Sequence, residues 1–235
     1  MYKGKTFLCV IPARAGSTRI PNKNMRLMNG KPLIYWAIKA AKESGVFDDI
    51  VVLSDSVEIR NYATWQGVYS YSEPPELASN TAYVGDAFAD FLDAYKKICS
   101  EMDYVQLIEP TAPLIRPTTI QCAADYLISK NADFVISVAE SHVPSYVSKP
   151  LPKDYCLRGW FPENLITKRS QDLEPTYHVN GVIYVGKWHL FADEALRTYW
   201  QSKIYAYIMD KWDSIDINDK WDFEIAELIL KNRKR

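Results

Sequence analysis

Three basic side chains and a hydroxyl fall close together near the start of the chain: Arg14, Ser17, Arg19 and Lys23, set around Gly16 in the run from Pro12 to Asn24. That combination suits a polyphosphate. A nucleoside triphosphate carries about four negative charges, and binding it takes close main-chain approach, which Gly16 permits, together with a hydroxyl and fixed cations. The run matches neither GxxxxGK[ST] nor GxGxxG, so an ordinary solvated loop stays open on these residues alone. At the other end of the chain Asp213, Asp216, Asp219 and Asp222 crowd one short segment. Hard divalent cations take oxygen ligands, and Asp216 with Asn218 offers a carboxylate and an amide on one side of an extended backbone. The same acids have plainer uses, Asp219 as a helix cap and Asp213 as surface charge. His142, His178 and His189 lie far apart and show no metal spacing.

Strand-like and helix-like patterns alternate along the chain, and these elements must position both groups. Thr6 to Ile11 reads as a strand buried on both faces, followed by the basic loop and a helix from Pro32 to Lys42 that ends at Gly45. Strands are expected at Ile50–Ser54, Tyr104–Ile108, Phe134–Val138, Gly181–Val185 and Lys203–Met209, with helices at Val57–Trp65, Tyr83–Ile98, Thr118–Lys130 and Lys220–Leu230. Such alternation implies an α/β fold, a mainly parallel, doubly wound, Rossmann-like sheet whose crevice lies beyond the carboxyl ends of the strands. The loops after Ile11, Leu53 and Ile108 should then share one edge. Residues 139–180 break the rhythm with five prolines and interleaved aromatics. The expectation is a single domain over 1–235, with 139–180 as an extended arm, a β-hairpin reaching a second subunit; a lid over the chain's own site is the competing reading.

The composition excludes some classes. At 48% hydrophobic and 24% charged, the 235 residues can build a substantial core, which argues against disorder. A net charge of −1 gives no basic excess for duplex nucleic acid, so no nucleic-acid partner is expected. No stretch approaches the roughly 20 apolar residues of a membrane span. Cys9, Cys99, Cys122 and Cys156 are scattered without metal or redox spacing, which reads as reduced, mostly buried thiols in a cytoplasmic protein. The tail from Lys231 to Arg235 reads as solvated.

The run Val10 to Ser17 with Pro21-Asn22-Lys23-Asn24 resembles the signature of acylneuraminate cytidylyltransferases, the CMP–sialic acid synthetases and their pseudaminic and legionaminic acid relatives. The likeness continues through Gly30-Lys31-Pro32-Leu33, Ser54-Asp55-Ser56, Pro75 to Ala82, Pro110 to Leu114, Asn180 to Tyr184 and Asp213 to Asn218. It implies transfer of CMP from CTP to the anomeric hydroxyl of an acidic nonulosonic sugar, with Mg²⁺ (or Mn²⁺) as cofactor and a homodimer as the assembly. By position in the family, Ala13, Arg14, Ser17, Arg19, Lys23, Asn24 and Ala82 would bind the nucleotide. Glu109, Arg169, His178, Asn180 and Tyr184 would bind the acceptor. Asp216, with Asn218, would hold the metal, and Arg14, Lys23 and Asp216 would carry catalysis.

The chain departs from that pattern where charge matters. Asn218 stands at a usual second metal aspartate, Thr18 at a common phosphate-facing lysine, and Glu109 at a usual glutamine. Glu73 sits where some relatives are basic, and His178 where an arginine often precedes Asn-Gly. Apart from Asn218, which loses an anionic ligand, each change adds negative charge or removes a cation, which points to a different acid sugar, such as one with a free amine for Glu109. A CMP–Kdo-type synthetase or other sugar nucleotidyltransferase, and a catalytically weak nucleotide-binding regulator, are the competing functions.

Overall fold

A computed structural model of the chain describes residues 1–17, 19–74, 76–78, 84–141, 143–165, 167–169, 172–192 and 199–233. In chain order the elements are β1 (Phe7–Pro12), a small antiparallel pair β2 (Leu27–Met28) and β3 (Lys31–Pro32), α1 (Leu33–Ser44), β4 (Asp49–Ser54), α2 (Val57–Trp65), β5 (Tyr69–Ser72), α3 (Val84–Lys96), β6 (Tyr104–Ile108), α4 (Pro117–Ser129), β7 (Phe134–Glu140), β8 (Tyr177–Lys187), β9 (Ile204–Ile208) and α5 (Lys220–Asn232). Among the described residues the main sheet has seven strands in the order β5-β4-β1-β6-β8-β7-β9. Six run in one direction. β8 alone runs against them, paired antiparallel with both β6 and β7.

The uninterrupted apolar run of β1 follows from cover on both faces. Phe7, Cys9 and Ile11 enter one core with α1, α2 and α4; Leu8 and Val10 enter a second with Phe88, Phe91 and Leu92 of α3. Apolar positions at helical spacing, Leu33, Ile34, Ala37, Ile38 and Ala41, lay α1 on the sheet, and Gly45 stops it in the left-handed region at φ 62°. A third, smaller core packs α5 through Phe223 and Ala226 against Ile20, Met28, Leu33 and Leu114. The main sheet reverses its winding at β1: β4 and β5 build outward on one side, while β6 returns on the other. Crevices form at such a reversal.

Several sequence expectations are met within a residue or two at these elements, and others are corrected. The edge strand β5, Tyr-Ser-Tyr-Ser, was not anticipated, because a half-exposed edge carries no apolar run. The antiparallel course of β8 was not legible either. Among the described residues, 141–176 hold no β-hairpin. They form the wide loop of a hairpin whose stem is β7 and β8, paired as far as Glu140 and Tyr177, with single 3-10 turns at Ser145–Val147 and Glu163–Leu165. The loop is stitched internally, Trp160 Nε1 donating to Val147 O at 3.2 Å and Lys149 Nζ to Trp160 O at 2.6 Å. Of the four free cysteines only Cys9 is buried; Cys122 lies on the exposed side of α4. No described helix is long and apolar enough to cross a membrane.

Candidate active site

Beyond the carboxyl ends of β1 and β6 opens a cleft of about 540 Å³. Its walls come from five stretches of chain; Glu73 and Leu77 after β5 supply one, and the other four are each fixed by their own bonds. The loop after β1 is stitched to the end of β4: Ala13 N donates to Leu53 O at 2.8 Å, Ser54 Oγ to Ala13 O at 2.6 Å, and Ala15 N to Asp55 Oδ1 at 2.8 Å. Asn24 Nδ2 donates to Arg14 O at 3.0 Å. With its main chain held, this loop lines the cleft with Arg14, Ser17, Arg19, Lys23 and Asn24. Ala13 is buried beneath it. Asn24 is 7% exposed, and its buried Oδ1 accepts no bond from the described residues.

The turn after β6 supplies Glu109, Pro110 and Thr111, closed by Ala112 N donating to Glu109 O at 3.1 Å. The third stretch is an irregularity in β8. Ile136 pairs with Tyr184 but Val138 with Val179, so β8 carries extra residues there. Gly181, at φ 75°, makes the turn that this bulge requires, and Gly181 and Tyr184 border the cleft. Ser137 fills the bulge, its Oγ accepting from Ile183 N at 2.8 Å and bonding Asn180 Oδ1 at 2.5 Å.

The fourth stretch, residues 210–219, carries the acids. Ile217 N donates to Thr111 O at 2.8 Å, and Lys23 Nζ reaches across to Ile217 O at 2.8 Å. Arg19 Nη1 donates to Asn218 Oδ1 at 2.5 Å, and Asn218 Nδ2 to Asp216 Oδ2 at 2.8 Å. A guanidinium only donates and a carboxylate only accepts, so these two neighbours fix which way the amide points. The basic loop and the acidic segment, remote in sequence, therefore meet in one cleft.

Their charges act on one another. Burial pushes the Glu109 carboxyl up to about 7, with the Asp216 charge adding to it and Lys23 and Arg14 opposing. Burial lowers Lys23, against the pull of Asp216. Burial raises Tyr184, helped by Glu109 and Asp216, and also raises Glu73, helped by Asp55 and opposed by Arg14.

Of the residues expected from sequence, the cleft gathers Arg14, Ser17, Arg19, Lys23, Asn24, Glu109, Tyr184, Asp216 and Asn218, and Glu73 with them. Ala82 and Thr18 lie outside the described residues. Three acceptor candidates do not line the cleft. Arg169 is exposed on the loop between β7 and β8 and pairs with Asp172 at 2.8 Å. His178 is exposed on β8 below the bulge. Asn180 is 7% exposed and turned inward, where Ser137 and Ser214 use both ends of its amide. Asn218, expected at the metal, accepts one bond from Arg19 on its oxygen and donates its NH₂ to Asp216, which leaves the oxygen a second lone pair. Asp219 caps α5 in a capping box with Asp222. Asp213 is not surface charge but 6% exposed and paired with Arg116 and Arg233, so Arg233 does not belong to a solvated tail. Sequence reading missed this cluster because its members stand far apart; only the β8 bulge had a local signal, the Asn-Gly pair inside a strand run.

Residues 8–196 match a protein-family model described as Cytidylyltransferase. An N-acylneuraminate cytidylyltransferase of Streptococcus agalactiae is 34% identical over 225 residues, covering 92% of this chain and 51% of that protein. A pseudaminic acid cytidylyltransferase of Campylobacter jejuni is 32% identical over 229 residues, covering 95% and 96% respectively. The chain thus spans about half the length of the N-acylneuraminate relative and nearly all of the other. Among solved structures, a CMP:2-keto-3-deoxy-manno-octonic acid synthetase complexed with CTP superposes with a TM-score of 0.71 over 97% of this chain and 100% of that one. At 13% identity this is a likeness of fold. The family match spans most of the chain, including four of the five stretches that wall the cleft, and the chain belongs to the cytidylyltransferase family.

Proposed function

We propose that the chain transfers CMP from CTP to the anomeric hydroxyl of a sialic-like nonulosonic acid, releasing pyrophosphate. One observation carries this reading: the basic loop after β1 and the acidic segment before α5 share a cleft, tied by the Lys23–Ile217 and Arg19–Asn218 bonds. Relatives named for N-acylneuraminate and pseudaminic acid support the acceptor class.

In this reaction the acceptor oxygen bonds to the α-phosphorus while the bond to the pyrophosphate oxygen breaks. Two anions must approach, and charge gathers on the leaving group. Arg14 and Arg19 bond triphosphate oxygens as planar forks and Lys23 as a point charge. Asn24 borders the nucleotide side of the cleft, where its Nδ2 holds the main chain of Arg14. Glu109 and Tyr184 face the sugar acid, and Glu109 favours an acceptor that presents a donor. Asp216 and Glu109 are hard oxygen donors bordering the same cleft and would hold Mg²⁺ or Mn²⁺ there. When bound, that cation neutralises charge on the phosphates.

The reading also includes a homodimer and a cytoplasmic location, where CTP is made. Exposed Val179 and Ile208 flank Val138 across three strands, next to exposed Tyr177 and Trp212, an apolar strip suited to a second copy.

The test is pyrophosphate release by purified protein with each nucleoside triphosphate, Mg²⁺ or Mn²⁺, and a panel of nonulosonic acids and Kdo. The expected result is release with CTP and a nine-carbon acid. Preference for Kdo would overturn the acceptor class, and saturable CTP binding without release would make the chain a nucleotide-binding regulator. Arg14→Ala should raise the KM for CTP about tenfold, whereas Asp216→Asn should lower kcat by about a hundredfold.

A further inference from the structure

The cluster around Asp213 lies outside the cleft lining, three residues ahead of Asp216 in the segment that carries it. Asp213 is 6% exposed, and both of its carboxylate oxygens are bonded. Arg116 Nε sits 2.7 Å from Oδ2, with Nη2 at 3.2 Å from Oδ1, and Arg233 Nη2 binds Oδ1 as well. The two arginines come from distant elements. Arg116 is the residue before α4 and Arg233 the residue after α5. Arg233 Nη1 also donates to Leu114 O at 2.6 Å, in the stretch that follows Glu109. One buried carboxylate therefore joins the loop after β6, the start of α4 and the end of α5.

From Asp213 the chain has little slack before Asp216. Ser214 Oγ accepts from Asn180 Nδ2 at 2.9 Å and donates to Asp210 O at 2.7 Å, and Ile217 N is held by Thr111 O at 2.8 Å. Asp216 is thus suspended between two fixed points, and the earlier of them is the arginine clamp. A buried ion pair is weak support for stability, because apolar residues of equal volume often serve as well. What it supplies is direction: the Arg116 fork fixes the carboxylate in plane, and the single bond from Arg233 ties it to the Leu114 carbonyl.

We propose that Asp213, gripped by Arg116 and Arg233, is a positioning residue for Asp216 and sets where that carboxylate meets the metal-bound triphosphate. This rests on the cytidylyltransferase reading above. The clamp residues lie outside the cleft lining, so their loss should act on turnover and metal use while leaving nucleotide affinity in place.

The test compares wild type with Asp213→Asn, Arg233→Met, Arg233→Lys and the milder Arg116→Gln. For each, kcat, the KM for CTP at saturating metal and the Mg²⁺ concentration for half-maximal activity are measured. Mn²⁺ binding to the protein–CTP mixture without acceptor is followed by electron paramagnetic resonance. Asp213→Asn and Arg233→Met should lower kcat and weaken Mn²⁺ binding about tenfold, with the KM for CTP changed by less than about twofold. Arg233→Lys should recover most of both. Lys187→Met, which breaks the Lys187–Asp133 pair at the far end of β8, should change neither. Variants that melt earlier yet keep wild-type kcat and Mn²⁺ affinity would overturn the proposal and leave a structural ion pair. If Asp213→Asn does not fold, Arg116→Gln decides by the same readouts. A wild type that binds Mn²⁺ and CTP but releases no pyrophosphate would overturn the reaction, while the Mn²⁺ comparison would still judge the clamp.

Discussion

Glu109 is the residue on which the cleft's electrostatics turn. It borders a space that also holds Asp216, Lys23, Arg14 and Tyr184, and burial lifts its carboxyl to about 7 from an ordinary 4.5. Between those two values the folded chain holds a proton that the unfolded chain has lost, so stability falls as pH rises and stays reduced above pH 7. Glu109→Gln should remove a penalty on the order of 2 kcal/mol, raising the melting temperature by roughly 5 °C at pH 8 and leaving it unchanged at pH 4. Thermal melts of the free protein at both pH values check this. A second residue carries an uncompensated cost. Gln106 of β6 is fully buried beside Cys9 and Val185 in the strand register, and neither amide atom has a partner among the described residues. Gln106→Met keeps the shape and removes the unpaired groups, and should stabilise the fold by about 1–2 kcal/mol in urea titrations. The basic cluster from Arg14 to Lys23 was legible in sequence because its members lie close together. The environment of Glu109 was not, since proton affinity depends on neighbours brought from other strands.

At the level of elements, local patterns were enough wherever one segment decides its own shape. The apolar run of β1, the spacing in α1 and the cap of Asp219 on α5 can be read off directly. What escaped depends on partners. The pairing of β8 is set by β6 and β7, and the polar strand β5 is recruited only because β4 offers an edge. The bulge at Gly181 is the sharpest instance, because one left-handed residue steers Tyr184 toward the cleft while Asn180 turns inward. Gly181→Ala places a Cβ in that conformation, although it would meet no atom within 4 Å. Backbone strain alone should cost about 1 kcal/mol, seen as a melting temperature lower by roughly 3 °C, and the displaced strand should raise the acceptor KM more than that for CTP. An acceptor KM unchanged in the folded variant would detach the bulge from sugar binding.

For the whole molecule the open question is assembly. Val179, Val138 and Ile208 form an apolar strip at the outer end of β8, β7 and β9, and Leu151, Tyr155, Leu157 and Phe161 are exposed on the loop nearby in sequence. Sedimentation at micromolar concentration should give twice the chain mass, and Ile208→Asp should return a monomer with its melting temperature lowered modestly. A wild type that sediments as a monomer would refute the pairing. The course of β8 has a bearing on synthesis too. Because it wedges between β6 and β7, a nascent polypeptide ending before residue 177 leaves both neighbours with raw edges. The ribosome must pass Lys187 before that gap can close, and until then the part-made chain is exposed to sticking to its own copies.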